Sequence, residues 1–224
     1  MDWTAIAVSV KLSVATMIAL VVVGTPIAYW TAFSRRRWKF LVEAVVALPL
    51  VLPPTVLGFY ILIAIGPRSP VGHAWQAVAG RGLPFTFEGL FVASILYSLP
   101  FAVQPFSAAF ASVDRHLLDA SWSLGVSRTA TFRRVVLPLS TRGIVTGMVL
   151  SFAHTLGEFG VVLMVGGNLP GVTRTVSISI YDSVQALDYH AASMTSLLLL
   201  VVSFAILAVT YSMQKTVWAV WPAR

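Results

Sequence analysis

His154 and Glu158 stand four residues apart in an otherwise apolar stretch, so on a helix an imidazole and a carboxyl share one face. Such a pair could relay a proton, hold a metal, brace two helices or line a polar cavity. Two ligands are too few for a metal site, and the sequence indicates no third. A charge near the centre of a bilayer costs about 2.5–3.5 kcal/mol or more, so Glu158 must be paired, protonated or facing water. A structural pair and a cavity wall are the readings the spacing favours, ahead of a proton relay. An unpaired carboxylate would repel an anion, so an anionic cargo requires Glu158 to be neutralised.

A second pattern lies in a basic, partly polar stretch between two apolar runs. It reads Asp119-Ala120-Ser121, three further residues, Gly125, then twelve residues to Leu137-Pro138. Asp114 or Ser112 is placed to cap a helix carrying Leu117, Leu118, Trp122 and Leu124. Gly125 permits a left-handed turn, and a second helix would take Phe132, Val135 and Val136 toward Leu137-Pro138, where the proline ends the turn. An ordinary basic loop explains the arginines but not the apolar face, which suits a shallow socket on a soluble partner. Prolines mark a third pattern, Pro49, Pro53 and Pro54, within a single apolar run. Broken backbone at depth is tolerated only against protein or a wet cavity, so the run is either kinked for packing or discontinuous along a solute path. Gly143, Gly147 and Ser151 form a small-residue stripe of the kind that brings helices close.

The elements that must position these groups are membrane spans. The 224 residues are 58% hydrophobic and only 10% charged, against roughly a quarter charged in soluble domains. Apolar runs at 5–33, 41–65, 90–111, 143–165 and 194–213 approach or exceed the ~20 residues that cross the hydrocarbon core. The first run is too long for a secretory h-region and no basic segment precedes it, so it reads as a span. Spans alternate sides. Eleven of the fifteen basic residues, Arg35, Arg36, Arg37, Lys39, Arg115, Arg128, Arg133, Arg134, Arg142, Lys215 and Arg224, then fall on one side. That side is cytoplasmic by the positive-inside bias, which puts the N-terminus outside and the C-terminus inside. The outer loop 66–89 reads as turns, and 166–193 as a segment with a short interfacial or partly inserted helix, which Asp182 and Asp188 make a poor membrane span. Residues 1–224 form one membrane domain, with a cytoplasmic segment at about 112–139 and outer loops too small to capture a dilute solute unaided.

Several classes are excluded by what is missing. There is no cysteine for disulfides, thiolate metal sites or nucleophiles. Gly125-Val126-Ser127 is followed by Arg128, so the nucleophile elbow of an intramembrane hydrolase is absent, and so is an HExxH pair. Lys11, Lys39 and Lys215 follow Val, Trp and Gln, so the chain has no phosphate-binding loop for ATP.

The segment 119–138 resembles the cytoplasmic coupling motif of permease subunits of ATP-binding-cassette importers. That motif is Glu-Ala-Ala, three residues, Gly, and a spacer ending in Leu-Pro; Asp119 and Ser121 are mild departures from it. The resemblance implies that Asp119, Ala120, Ser121, Trp122, Gly125, Leu137 and Pro138 couple this chain to an ATPase. Leu48-Pro49-Leu50-Val51-Leu52-Pro53-Pro54, Gly157-Glu158-Phe159-Gly160, and Gly167-Asn168-Leu169-Pro170-Gly171 with Thr173-Arg174-Thr175 extend the likeness over nearly the whole chain. These blocks resemble the molybdate permease family, with sulfate and tungstate permeases as variants. The likeness implies an all-α, polytopic membrane protein of MetI-like importer-permease fold, with about five transmembrane helices and a short cytoplasmic coupling helix. It also implies a pore-forming subunit of the bacterial or archaeal inner membrane with no catalytic or metal site of its own. Pro49, Pro53, Pro54, Gly157, Glu158, Gly160 and Asn168 would then line the translocation pathway. The implied partners are a second copy of the chain, two ATPase subunits carrying ATP and Mg, a periplasmic or lipid-anchored molybdate-binding protein and membrane lipid, but no nucleic acid. A proton-coupled secondary transporter using His154 and Glu158 is the competing class.

Overall fold

A computed structural model describes residues 1–213; Lys215 and Arg224, assigned above to the cytoplasmic tail, lie outside the described residues. Asp2 caps the first helix, α1 (Trp3–Phe33), by accepting from the Ala5 amide at 3.0 Å. The helix is apolar on every face, as expected of a span rather than a surface helix. Next come α2 (Lys39–Ala47), a 3-10 turn at Leu48–Leu50, and α3 (Pro54–Ile65), with a 112° bend between the two halves. Prolines cause the break: Pro49 sits in the 3-10 turn, Pro53 is the extended N-cap residue of α3, and Pro54 is its first residue.

The loop that reads as turns contains a helix, α4 (Pro70–Ala79). Ser69 caps it by accepting from the Gly72 amide at 2.9 Å, and Gly80 closes it in a left-handed conformation with φ +69°. Ser-Pro at the start and Gly past the end are helix signals as well as turn signals, which is why punctuation alone misread this loop.

α5 (Phe87–Ala111) is the central helix, packing against both α1 and α9 (Thr141–Gly157), which also pack against each other. It is followed by α6 (Arg115–Ser123) and by α7 (Arg128–Thr131), which runs through a π-helical turn at Phe132–Val136 into α8 (Leu137–Leu139). Pro138 therefore does not end the helix. The π turn lies in the stretch just before the residue that lacks an amide donor, and the chain bends by 74° only at Ser140.

α9 (Thr141–Gly157) and α10 (Gly160–Gly166) correct the expectation of an unbroken fourth span. The helix stops at Gly157, and Glu158 is extended with ψ 136°. No proline marks this break; the flanking Gly157 and Gly160 were its only sequence signal. The final helices are α11 (Val176–Gln185) and α12 (Tyr189–Met213). Among the described residues, α1, α5 and α12 are long and apolar enough to cross a membrane, and counting each bent pair as one span gives up to five.

In lipid, close packing rather than water exclusion holds such helices together. The small-residue stripe does this here. Gly143 sits against Ala109 and the Pro105 carbonyl, and a Cβ on Gly147 would come within 2.6 Å of the Phe106 ring. Around that seam Leu20, Phe106 and Phe110 form a core that extends to Leu118 of α6 and Val136 of the π turn.

Candidate functional site

The α6–α8 segment is built by two capping devices. Asp114 Oδ1 accepts from the His116 amide at 2.9 Å and starts α6. At the other end Gly125, with φ +75°, donates to the Trp122 carbonyl at 2.9 Å, and the Val126 amide donates to the Ser121 carbonyl at 3.1 Å. This is a Schellman closure, and it requires a residue that accepts the left-handed region. A Cβ on Gly125 would meet nothing within 4 Å, so conformation rather than space dictates glycine.

The apolar residues of α6 divide between two faces. Leu118 is buried in the core, whereas Leu117, Trp122 and Leu124 are exposed, Leu124 at 83%. Asp119 and Ala120 are exposed, and Ser121 is half-buried with its hydroxyl 2.8 Å from that of Thr131. That contact ties α6 to α7, while Phe132 and Val136 anchor the following turn in the core. Leu137 and Pro138 are exposed at the end of the same unit. The result is a short helix rooted by one leucine and presenting an acid, a small surface and three apolar knobs.

A second constellation forms at the α9–α10 break. Gly160 lies against Pro54, where a Cβ would stand 2.7 Å from the proline Cβ, so the two broken spans meet at their breaks. Pro53 and Pro54 are exposed, Pro49 half-buried and Gly157 exposed. Glu158 is only 4% exposed; its Oε2 accepts from Ser94 Oγ at 3.2 Å, and its Oε1 is buried without a hydrogen-bond partner. Because the helix stops at Gly157, Glu158 does not continue the face of His154. The two are aligned from the opposite side instead, by serines one turn apart on α5. Ser98 Oγ lies 2.9 Å from both His154 Nδ1 and Thr155 Oγ1, while Ser94 serves Glu158. Phe101 stacks on the His154 ring with centroids 3.9 Å apart. Ser94 and Ser98 escaped the sequence reading; their spacing of four within an apolar run was the available signal.

Asn168 belongs to a different group. Its amide donates to Asp182 Oδ2 at 2.8 Å, and its carbonyl accepts from Arg174 Nε at 2.6 Å. Arg174 also pairs with Asp182 at 3.4 Å and Asp2 at 3.7 Å. The Val176 amide donates to Ser9 Oγ at 2.7 Å, so this network ties the start of α1 to α11. Thus Pro54, Glu158 and Gly160 converge, whereas Asn168 organises the end of the molecule opposite α6.

Residues 24–217 match the family described as binding-protein-dependent transport system inner membrane component. The chain is 48% identical over 214 residues to the molybdenum transport system permease protein ModB of Azotobacter vinelandii, covering 96% of this chain and 95% of that one. It is 32% identical to the putative molybdenum transport system permease protein YvgM of Bacillus subtilis, with 92% and 90% covered. Among solved structures, an inward-facing MetNI methionine ABC transporter chain superposes with TM-score 0.74 at 14% identity, covering 95% of this chain and 94% of that one.

Proposed function

This chain belongs to the family of binding-protein-dependent transport system inner membrane components, and we propose that it is the permease subunit through which an ATP-dependent importer moves molybdate across the inner membrane. The observation that carries the reading is α6, whose Asp119-Ala120-Ser121 and Gly125 form a rooted, exposed helix closed by a left-handed turn. Cargo is assigned from the relatives, two of which are named for molybdenum transport at 48% and 32% identity.

In this mechanism the chain is a pore-forming subunit in a single membrane domain and hydrolyses nothing. ATP and Mg sit on two copies of a separate ATPase, which grips Asp119, Trp122 and their neighbours. A second copy of the chain completes the pathway, since so few spans enclose no sealed route alone. A periplasmic or lipid-anchored molybdate-binding protein delivers cargo to the end that carries Asn168 and Arg174. The N-terminus lies outside, and the basic end lies in the cytoplasm. Closure of the ATPase moves α6, and Leu118 transmits that movement to the core around Phe110. Where the two breaks meet, Pro54 and Gly160 mark backbone that leaves the helix beside the path.

The cargo is tested by competition. In vesicles holding the permease, its ATPase and the binding protein, excess tungstate should suppress molybdate uptake while equal sulfate leaves it unchanged. Suppression by sulfate as strong as by tungstate would reassign the chain to the sulfate branch.

A further inference from the structure

A groove of about 480 Å³ lies between the last turn of α1 and the α6–α7 segment. Tyr29, Trp30 and Phe33 form its apolar wall, and Arg35, Arg115 and Arg128 lie around it. Asp119 also lines it, which leaves three guanidiniums against one carboxylate. Among the described residues Arg35, Arg115 and Arg128 make no ion pair, and the Arg128 guanidinium lies over the Trp122 ring, 5.9 Å from its centroid. Cations left unpaired beside aromatic rings at the end of an apolar helix have the chemistry of a membrane–water boundary.

Ile18, Val22 and Pro26 lie at helical spacing on α1 and lead toward Trp30 and Phe33, and all three are exposed, Val22 at 70%. Exposed apolar residues of the same spanning helix therefore stand beyond the aromatic wall of a basic groove. A soluble acidic peptide would match the arginines but leave those apolar residues uncovered. A molecule with a phosphate at one end and hydrocarbon at the other matches both.

We propose that this groove is a specific site for an anionic phospholipid of the surrounding membrane, its phosphate held by Arg35, Arg115 and Arg128 and one acyl chain laid along Val22 and Ile18. The lipid bridges α1 and α6, so it steadies the helix that presents Asp119 and Trp122. The site does not depend on the identity of the cargo, and its failure would leave the transport assignment standing.

The test is native mass spectrometry of the full-length permease in detergent with defined mixtures of phosphatidylglycerol and phosphatidylcholine. Wild-type protein should retain phosphatidylglycerol selectively. Arg35→Gln with Arg115→Gln should retain it roughly thirtyfold less, as expected for two near-surface cations lost. Arg133→Gln with Arg134→Gln, which removes the same charge away from the groove, should retain it normally. Equal loss in both double variants would overturn the site, as would equal retention of the neutral lipid. Displacement by millimolar inorganic phosphate would show a site for any small anion and contradict the lipid. If the groove variant fails to accumulate, a photoreactive phosphatidylglycerol on wild-type protein should label peptides spanning 29–35 and 115–128. Labelling that avoids those peptides, or that vanishes when the ATPase binds and covers the groove, would also refute the proposal.

Discussion

Gly125 carries more of the account than any other single residue, and its role is conformational. At φ +75° a residue with a Cβ is strained by about 1–2 kcal/mol although the space beside it is empty. Asparagine tolerates that region and β-branched residues do not. Gly125→Asn should therefore keep most ATPase binding, and Gly125→Val should lose roughly tenfold, measured by co-purification of the ATPase with the permease. Equal binding by both variants would mean that the turn is not the recognised feature. Glu158 makes a second prediction at this scale. Glu158→Gln keeps an oxygen to accept from Ser94 and should retain near-normal transport in vesicles. Glu158→Leu leaves the buried Ser94 hydroxyl without its acceptor, which should cost about 1–3 kcal/mol and lower the thermal midpoint of the purified protein. A strong loss of transport in the glutamine variant would instead put the carboxyl's proton in the transport cycle.

Breaks, rather than lengths, set how the elements of the bundle meet. Gly160 allows α10 to sit on Pro54, and a Cβ there would stand 2.7 Å from the proline. Gly160→Val should therefore separate the two breaks and slow uptake several-fold, while ATPase binding at α6 is unaffected. Loss of both together would show that the whole fold had failed. How far these elements could be read from the sequence follows from the residues that make them. The break before α3 was visible because three prolines announce it. The break at Glu158 was not, because only Gly157 and Gly160 flank it and glycines are also common in packed membrane helices. The caps of α6 were legible in Asp114 and Gly125, because each acts locally. Its division into a buried Leu118 and an exposed Leu117, Trp122 and Leu124 was not, since that depends on where Phe110 lies. Ser94 and Ser98 were hidden because a serine in an apolar run also packs well without polar partners. Asn168 shows the same limit, since its partner Asp182 lies in α11 and its partner Arg174 pairs in turn with Asp2 before α1.

For the whole molecule, sidedness and energy source decide the account. Because the chain contains no cysteine, single introduced thiols report sidedness without background. Val78 in α4 is 88% exposed and Leu124 after α6 is 83% exposed. A membrane-impermeant maleimide should label Val78→Cys in cells with an intact inner membrane, and Leu124→Cys only after permeabilisation. The reverse pattern would invert the topology and remove α6 from reach of a cytoplasmic ATPase. The central claim is that this chain conducts but does not drive. It is tested most directly by labelled molybdate uptake into proteoliposomes containing the permease, with ATPase, binding protein and ATP added or withheld in turn. Uptake should appear only with all components present and should stop when ATP is replaced by a non-hydrolysable analogue. Uptake by the permease alone, driven by a proton gradient, would contradict it.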